Sequence, residues 1–132
     1  MNATQAGDGL SILVVDDETM IVMLLEDMLL DLGCTVAGSA ASVAQSLAVI
    51  DRSRQTLDGA FLDINLRGEL VYPVADALKA RGVPFVFVTG NAVQGIDPGY
   101  AGVPALSKPF GVHAIEQAVK LFAERRRVPA PA

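Results

Sequence analysis

Three aspartates, a threonine and a lysine in this 132-residue chain each stand at the end of a short apolar run. Ser11-Ile12-Leu13-Val14-Val15 runs into Asp16-Asp17, and Gly59-Ala60-Phe61-Leu62 runs into Asp63. Val83-Pro84-Phe85-Val86-Phe87-Val88 runs into Thr89, and Val103-Pro104-Ala105-Leu106-Ser107 into Lys108. Brought together, the carboxylates of Asp16, Asp17 and Asp63 repel. Two like charges about 4 Å apart cost about 4 kcal/mol at an effective dielectric of about 20. Mg2+ relieves such a cluster, because it takes oxygen ligands yet keeps waters that a phosphoryl oxygen can displace. Asp63 could then attack as a carboxylate nucleophile and form an aspartyl-phosphate. The metal and Lys108 would neutralise the transferring group, and Thr89 offers it a hydroxyl. Each residue also has a plainer reading: Asp17 as a helix cap, Asp63 as a turn acceptor, Thr89 as a strand end, Lys108 as a solvated charge. Four placements at four strand ends favour the joint reading.

The elements that would position these groups alternate along the chain. Unbroken apolar runs are how strands read when a parallel sheet is covered on both faces. The carboxyl ends of such strands line one edge, where ligands bind. Met20 to Leu32 reads as a helix capped by Thr19 and ended by Gly33. A short strand is expected over Thr35 to Ala37. Ser42 and Gln45 form a capping-box pattern for a helix to about Ile50. Pro73 fits the first turn of a helix running to about Arg81, with Gly82 beyond it. Val112, Ile115, Val119 and Phe122 share one face of a last helix. Right-handed crossovers then wind a parallel sheet on both faces. Residues 91–102, with three glycines and a proline, predict a mobile loop with at most one helical turn.

Composition sets outer limits. A hydrophobic fraction of 52% fits one domain over residues 10–127, between flexible ends at 1–9 and 128–132. Mean hydropathy is +0.42, but the longest aliphatic stretch, Met20 to Leu25, is far short of the roughly 20 residues of a membrane span. No secretory leader is visible. With the single Cys34 read as a small buried hydrophobe, a reducing, cytoplasmic setting is expected. The net charge of −5 argues against a nucleic-acid surface. Arg125-Arg126-Arg127 complements the end of the last helix. His113 reads as a surface residue, and Met20, Met23 and Met28 as core filling.

Asp16-Asp17, Leu62-Asp63-Ile64-Asn65, Val88-Thr89-Gly90 and Lys108-Pro109-Phe110 resemble, in order over residues 10–126, the motifs of the response-regulator receiver domain, the CheY-like superfamily of two-component signalling. The resemblance implies an α/β flavodoxin-like doubly wound (βα)5 fold with a five-stranded parallel sheet in the order 2-1-3-4-5. The composition of residues 91–102 leaves its fourth helix short or absent. The resemblance further implies that Asp63 accepts phosphoryl from a sensor histidine kinase or a histidine phosphotransfer protein. Asp17, Asp63 and the backbone carbonyl of Asn65 would bind Mg2+, with Asp16 acting mainly through water. Lys108 would pair with the phosphoryl group, Thr89 would be the switch hydroxyl, and the Lys108-Pro109 bond would be cis. The expectation is a stand-alone response regulator, not an enzyme beyond its own phosphorylation and dephosphorylation chemistry. It would signal through a downstream protein or act as a phosphate sink.

Two departures stand out. The position three before the lysine, aromatic in common receivers, is Ala105, and the 91–102 segment lacks a helical composition. Pro84-Phe85-Val86-Phe87-Val88-Thr89-Gly90 resembles a subgroup of alphaproteobacterial receivers with a Phe-Ala-Thr-Gly motif. Here Val88 replaces the alanine, and Asn91 stands where an aromatic would follow. Threonine–tyrosine coupling is therefore expected to be absent, and ordering of residues 91–102 on phosphorylation to replace it. Rival readings fit less well. A haloacid-dehalogenase-type phosphatase wants an aspartate where Asn65 stands. A flavodoxin-like cofactor binder wants a phosphate loop where Asp16-Asp17-Glu18 stands. A phosphorylation-independent pseudo-receiver would not need all four chemical groups.

Overall fold

The computed structural model describes residues 7–53, 57–90 and 96–127. In chain order it contains β1 (Ser11–Val15), α1 (Thr19–Asp31), β2 (Thr35–Ala40), α2 (Val43–Arg52) and β3 (Gly59–Asp63). A small hairpin follows, β4 (Asn65–Leu66) and β5 (Glu69–Leu70), and then α3 (Tyr72–Ala80), β6 (Phe85–Thr89), a 3-10 turn (Pro98–Tyr100), β7 (Ala105–Ser107) and α4 (Val112–Arg127). The main sheet is parallel in the order β2-β1-β3-β6-β7. With the hairpin strands set aside, this is the expected 2-1-3-4-5 order. Among the described residues no helix is long and apolar enough to cross a membrane.

The unbroken apolar runs are explained by two cores, one on each face of the sheet. Leu13 and Val15 of β1, Ala60 and Leu62 of β3 and Phe87 of β6 pack with residues of α2 and α3. Ile12, Val14, Phe61, Val86 and Val88 point the other way and pack with residues of α1 and α4. Successive strand side chains alternate faces, so every position of β3 is buried. Gly59 opens β3 because the Phe122 ring of α4 occupies the space a Cβ would need. That ring sits edge-on to Phe61, with centroids 5.5 Å apart.

Several local expectations are corrected. The N-cap of α1 is Glu18 rather than Thr19, and no side chain caps it. Met20 and Met23 are 82% and 58% exposed, not core filling. They lie on the outward face of α1, opposite Leu25 and Leu29, which meet the sheet. Val112 is likewise exposed, leaving Ile115, Val119 and Phe122 as the buried stripe of α4. Strand β2 runs on to Ala40, where it pairs with Val15. Residues 7–9, expected to be loose, turn against the end of α1. The Gly7 N–H donates to the Leu32 carbonyl at 3.1 Å, and the Gly9 N–H to that of Gly33 at 3.2 Å. Residues 1–6 and 128–132 lie outside the described residues.

The described part of the 91–102 segment holds a single 3-10 turn where a fourth long helix could have stood. Asp97 caps it, its Oδ1 accepting from the Gly99 N–H at 2.8 Å. Tyr100 is buried there. It stacks on Tyr72 with centroids 5.3 Å apart and an interplanar angle of 13°, and meets Phe87 edge-on at 5.9 Å. The Tyr72 hydroxyl accepts from the Asp97 N–H at 2.8 Å. One aromatic plug thus covers this part of the β6 face. Residues 91–95 lie outside the described residues.

Candidate functional site

The carboxyl ends of β1, β3, β6 and β7 bring the five expected positions to one edge. Asp16 and Asp17 follow β1, and Asp63 is the last residue of β3. Carboxylate oxygens of the three lie within 4.8 Å of one another. Lys108, just past β7, reaches in from the far side. Its Nζ is 2.9 Å from Asp16 Oδ2, 3.4 Å from Asp63 Oδ2 and 3.5 Å from Glu18 Oε1. The Lys108 N–H donates to the Thr89 carbonyl at 2.8 Å, fixing the base of the lysine against the end of β6. Thr89 lies one residue beyond Val88, the register partner of Asp63. The Lys108-Pro109 peptide is cis.

Burial sets the electrostatics. Asp63 is buried, which pushes its carboxyl up from 3.8 to about 6. The Asp16 charge adds to that rise, and Lys108 opposes it in part. For Lys108, burial pulls the ammonium down, but the close Asp16 carboxylate and the charges of Asp63 and Glu18 outweigh it. The net shift is upward, so Lys108 stays charged at neutral pH.

One ammonium cannot satisfy three carboxylates. Asp16 is 2% exposed, and its Oδ2 makes no well-directed hydrogen bond. Although that oxygen is 2.9 Å from Lys108 Nζ, the approach is close in distance and poor in angle. The Asp16 Oδ1 atom is used locally and accepts from the Glu18 N–H at 2.9 Å. A buried carboxylate oxygen with unused lone pairs, beside two more carboxylates, fits a hard divalent cation with oxygen ligands. The cluster meets that requirement.

Asn65 lies two residues past Asp63, and its side chain serves the hairpin. Its Oδ1 accepts from the Gly68 N–H at 2.6 Å, so only its main chain is left to face a metal. His113 is exposed in the first turn of α4, as expected for a surface residue. Cys34 is buried, and burial with the charges of Asp58 and Asp8 pushes its thiol up to about 11. It therefore stays protonated and is no nucleophile.

Two charged residues at the cleft were not legible as site residues. Glu18 holds Lys108 from the exposed side. Arg67, at the tip of the β4–β5 hairpin, places Nε 3.4 Å from Asp17 Oδ2. The sequence signal for Glu18 was its adjacency to the aspartate pair. For Arg67 it was Arg67-Gly68 between two short runs, a two-residue hairpin pattern.

Comparison with known proteins agrees with this geometry. The sequence profile of the response regulator receiver domain matches residues 12–120. The solution structure of SdrG from Sphingomonas melonis Fr1 is 42% identical, with a TM-score of 0.73 over 88% of this chain and 98% of that one. The receiver domain of the sensor histidine kinase PA1611 from Pseudomonas aeruginosa PAO1, a crystal structure with a magnesium ion coordinated in its active-site cleft, is 28% identical. Its TM-score is 0.74, over 88% of this chain and 98% of that one. The sensor histidine kinase RcsC of Escherichia coli (strain K12) is 30% identical over 138 residues, which cover 95% of this chain and 13% of the kinase. The chain thus spans a small part of the curated kinases it matches. By its profile, its sheet order and its strand-end constellation, the chain belongs to the response regulator receiver domain family of two-component signalling.

Proposed function

We propose that the chain accepts a phosphoryl group on Asp63 from a phosphohistidine of a sensor histidine kinase or a histidine phosphotransfer protein, with Mg2+ bound beside it. The observation that carries this reading is a buried carboxylate, Asp63, sharing one oxygen cluster with Asp16 and Asp17 and facing the Lys108 ammonium. A purely structural role has no use for three carboxylates that destabilise one another.

In the transfer, an Asp63 carboxylate oxygen forms the new O–P bond as the P–N bond of the donor breaks. The electron pair of that bond stays on the imidazole nitrogen. At pH 7 Asp63 is mostly ionised, even with its carboxyl raised to about 6. Asp17, Asp63 and the Asn65 carbonyl would hold Mg2+, with Asp16 acting through water. The ion supplies charge neutralisation for the phosphoryl oxygens. Lys108 leaves the shared carboxylates to pair with the new dianion, and the Thr89 hydroxyl donates to another of its oxygens. Turnover is confined to the chain's own phosphorylation and hydrolysis, in a cytoplasmic setting. The message passes by protein contact, or the chain drains phosphoryl groups as a sink.

Intact mass after incubation with Mg2+ and a small phosphodonor tests the reading. The expected result is a labile gain of one phosphoryl group in the wild type and none in Asp63→Asn. No gain in the wild type, or a gain that persists in Asp63→Asn, overturns it.

A further inference from the structure

Arg67 breaks a local rule without any gain inside its own hairpin. Residues Arg67 and Gly68 form the two-residue turn between β4 and β5, with φ of +56° and +90°. These values are those of a type I′ turn, whose first position favours Asn, Asp or Gly, because other side chains crowd the backbone there. Among the described residues Arg67 is the one non-glycine at positive φ. A strained residue that nothing nearby rewards points toward the neighbour it is held against.

The hairpin itself is fixed. Leu66 is buried in the core beside α3, and the Val71 N–H closes the base by donating to the Ile64 carbonyl at 2.9 Å. Glu69 Oε1 accepts from the Val43 N–H at the start of α2, also at 2.9 Å. Asn65 braces the turn from inside. The result is a rigid arm whose tip sets a guanidinium over Asp17. Arg67 is 82% exposed, whereas Asp17 is only 15% exposed, so the pair lies across the mouth of the cleft.

We infer that Arg67 competes with the divalent cation for Asp17 and so sets the Mg2+ concentration at which the site fills. The inference rests on the metal reading above. Asp17 cannot give the same oxygen lone pairs to a guanidinium and to Mg2+, and two cations on one carboxylate repel. Lys108 contacts Asp16 and Asp63 rather than Asp17, so the cation held against Asp17 is Arg67. Asp17 is the carboxylate of the cluster that carries a separate cation at the rim.

Calorimetric titration of MgCl2 into the wild type, Arg67→Asn, Arg67→Lys and Asp17→Asn tests this, with buffers of low and high NaCl. Asn suits the turn, so Arg67→Asn removes the charge without breaking the hairpin. An exposed ion pair of this kind corresponds to about a two- to fivefold change in affinity. Arg67→Asn should bind Mg2+ tighter by that factor at low salt, and Arg67→Lys should lie near the wild type. The gap should close at about 1 M salt, where the screening length falls to about 3 Å. Equal binding by wild type and Arg67→Asn, or a gap that salt does not change, overturns the competition and leaves the metal reading standing. A wild type that gives no more heat than Asp17→Asn overturns both.

Discussion

Asp63 should destabilise the metal-free protein whenever it is ionised, and the size of the effect follows from its environment. Burial, with the Asp16 charge behind it, raises its carboxyl from 3.8 to about 6. Between those values the folded chain holds a proton that the unfolded chain has released. Stability therefore falls as pH rises through this window and levels off above it. At about 1.4 kcal/mol for each pH unit, the loss is about 3 kcal/mol. Asp63→Asn has nothing to ionise. In EDTA it should match the wild type near pH 4 and exceed it by about 3 kcal/mol at pH 7 and above. For a chain of this size that is a rise in melting temperature of roughly 10 °C. Urea unfolding of both proteins at half-unit steps from pH 4 to 8 reads Asp63 together with its coupling to Asp16 and Lys108. Saturating Mg2+ should narrow the gap by stabilising the wild type more. If Asp63→Asn were no more stable than the wild type at pH 7 in EDTA, the placing of an electrostatic penalty at Asp63 would be wrong.

Three further outcomes follow from the packing. Gly59→Ala drives a methyl into the Phe122 ring and should cost about 1 to 3 kcal/mol in urea unfolding; a neutral effect would mean that α4 yields freely. Tyr100→Ala removes the stacked plug from Tyr72 and Phe87. It should cost about 3 kcal/mol, most of it recovered by Tyr100→Phe, and a loss as large in both variants would contradict the ring-packing account. Met20→Lys with Met23→Glu alters only exposed side chains of α1, so stability should move by less than about 0.5 kcal/mol. Phosphorylation by a small donor should be unchanged while transfer from a phosphohistidine protein slows, because the exposed methionines of α1 offer such a donor an apolar contact. Equal rates from the protein donor would place its contact elsewhere.

The strand ends were legible because they depend on short-range facts. A buried parallel strand needs an unbroken apolar run, and the first polar residue past it falls at the sheet edge. That reasoning located Asp16, Asp17, Asp63, Thr89 and Lys108 without any knowledge of their partners. The helix faces were harder to read. Met20, Met23, Leu24 and Leu30 are as apolar as Leu25 and Leu29, so periodicity alone could not say which stripe of α1 meets the sheet. Arg67 was hidden for another reason. Its hairpin strands are two residues each, too short for any alternation, and its partner Asp17 lies fifty positions away. Tyr100 was hidden by composition, because glycines and a proline mark an irregular segment even when one aromatic in it is buried.

That buried aromatic changes what the departures from common receivers mean. Ala105 leaves β7 with a small side chain opposite Phe87, and Phe87 is instead covered from the side by Tyr100. Tyr100 cannot leave without unstacking from Tyr72, and the Asp97 N–H is tied to the Tyr72 hydroxyl. Residues 97–100 are therefore anchored to α3. Ordering of the whole 91–102 segment is then not the simplest switch, since its second half already has a defined turn and a buried ring. α3 is also the helix that follows the β4–β5 hairpin, whose tip touches Asp17. The same helix thus receives the chain from the rim of the carboxylate cluster and holds the aromatic plug.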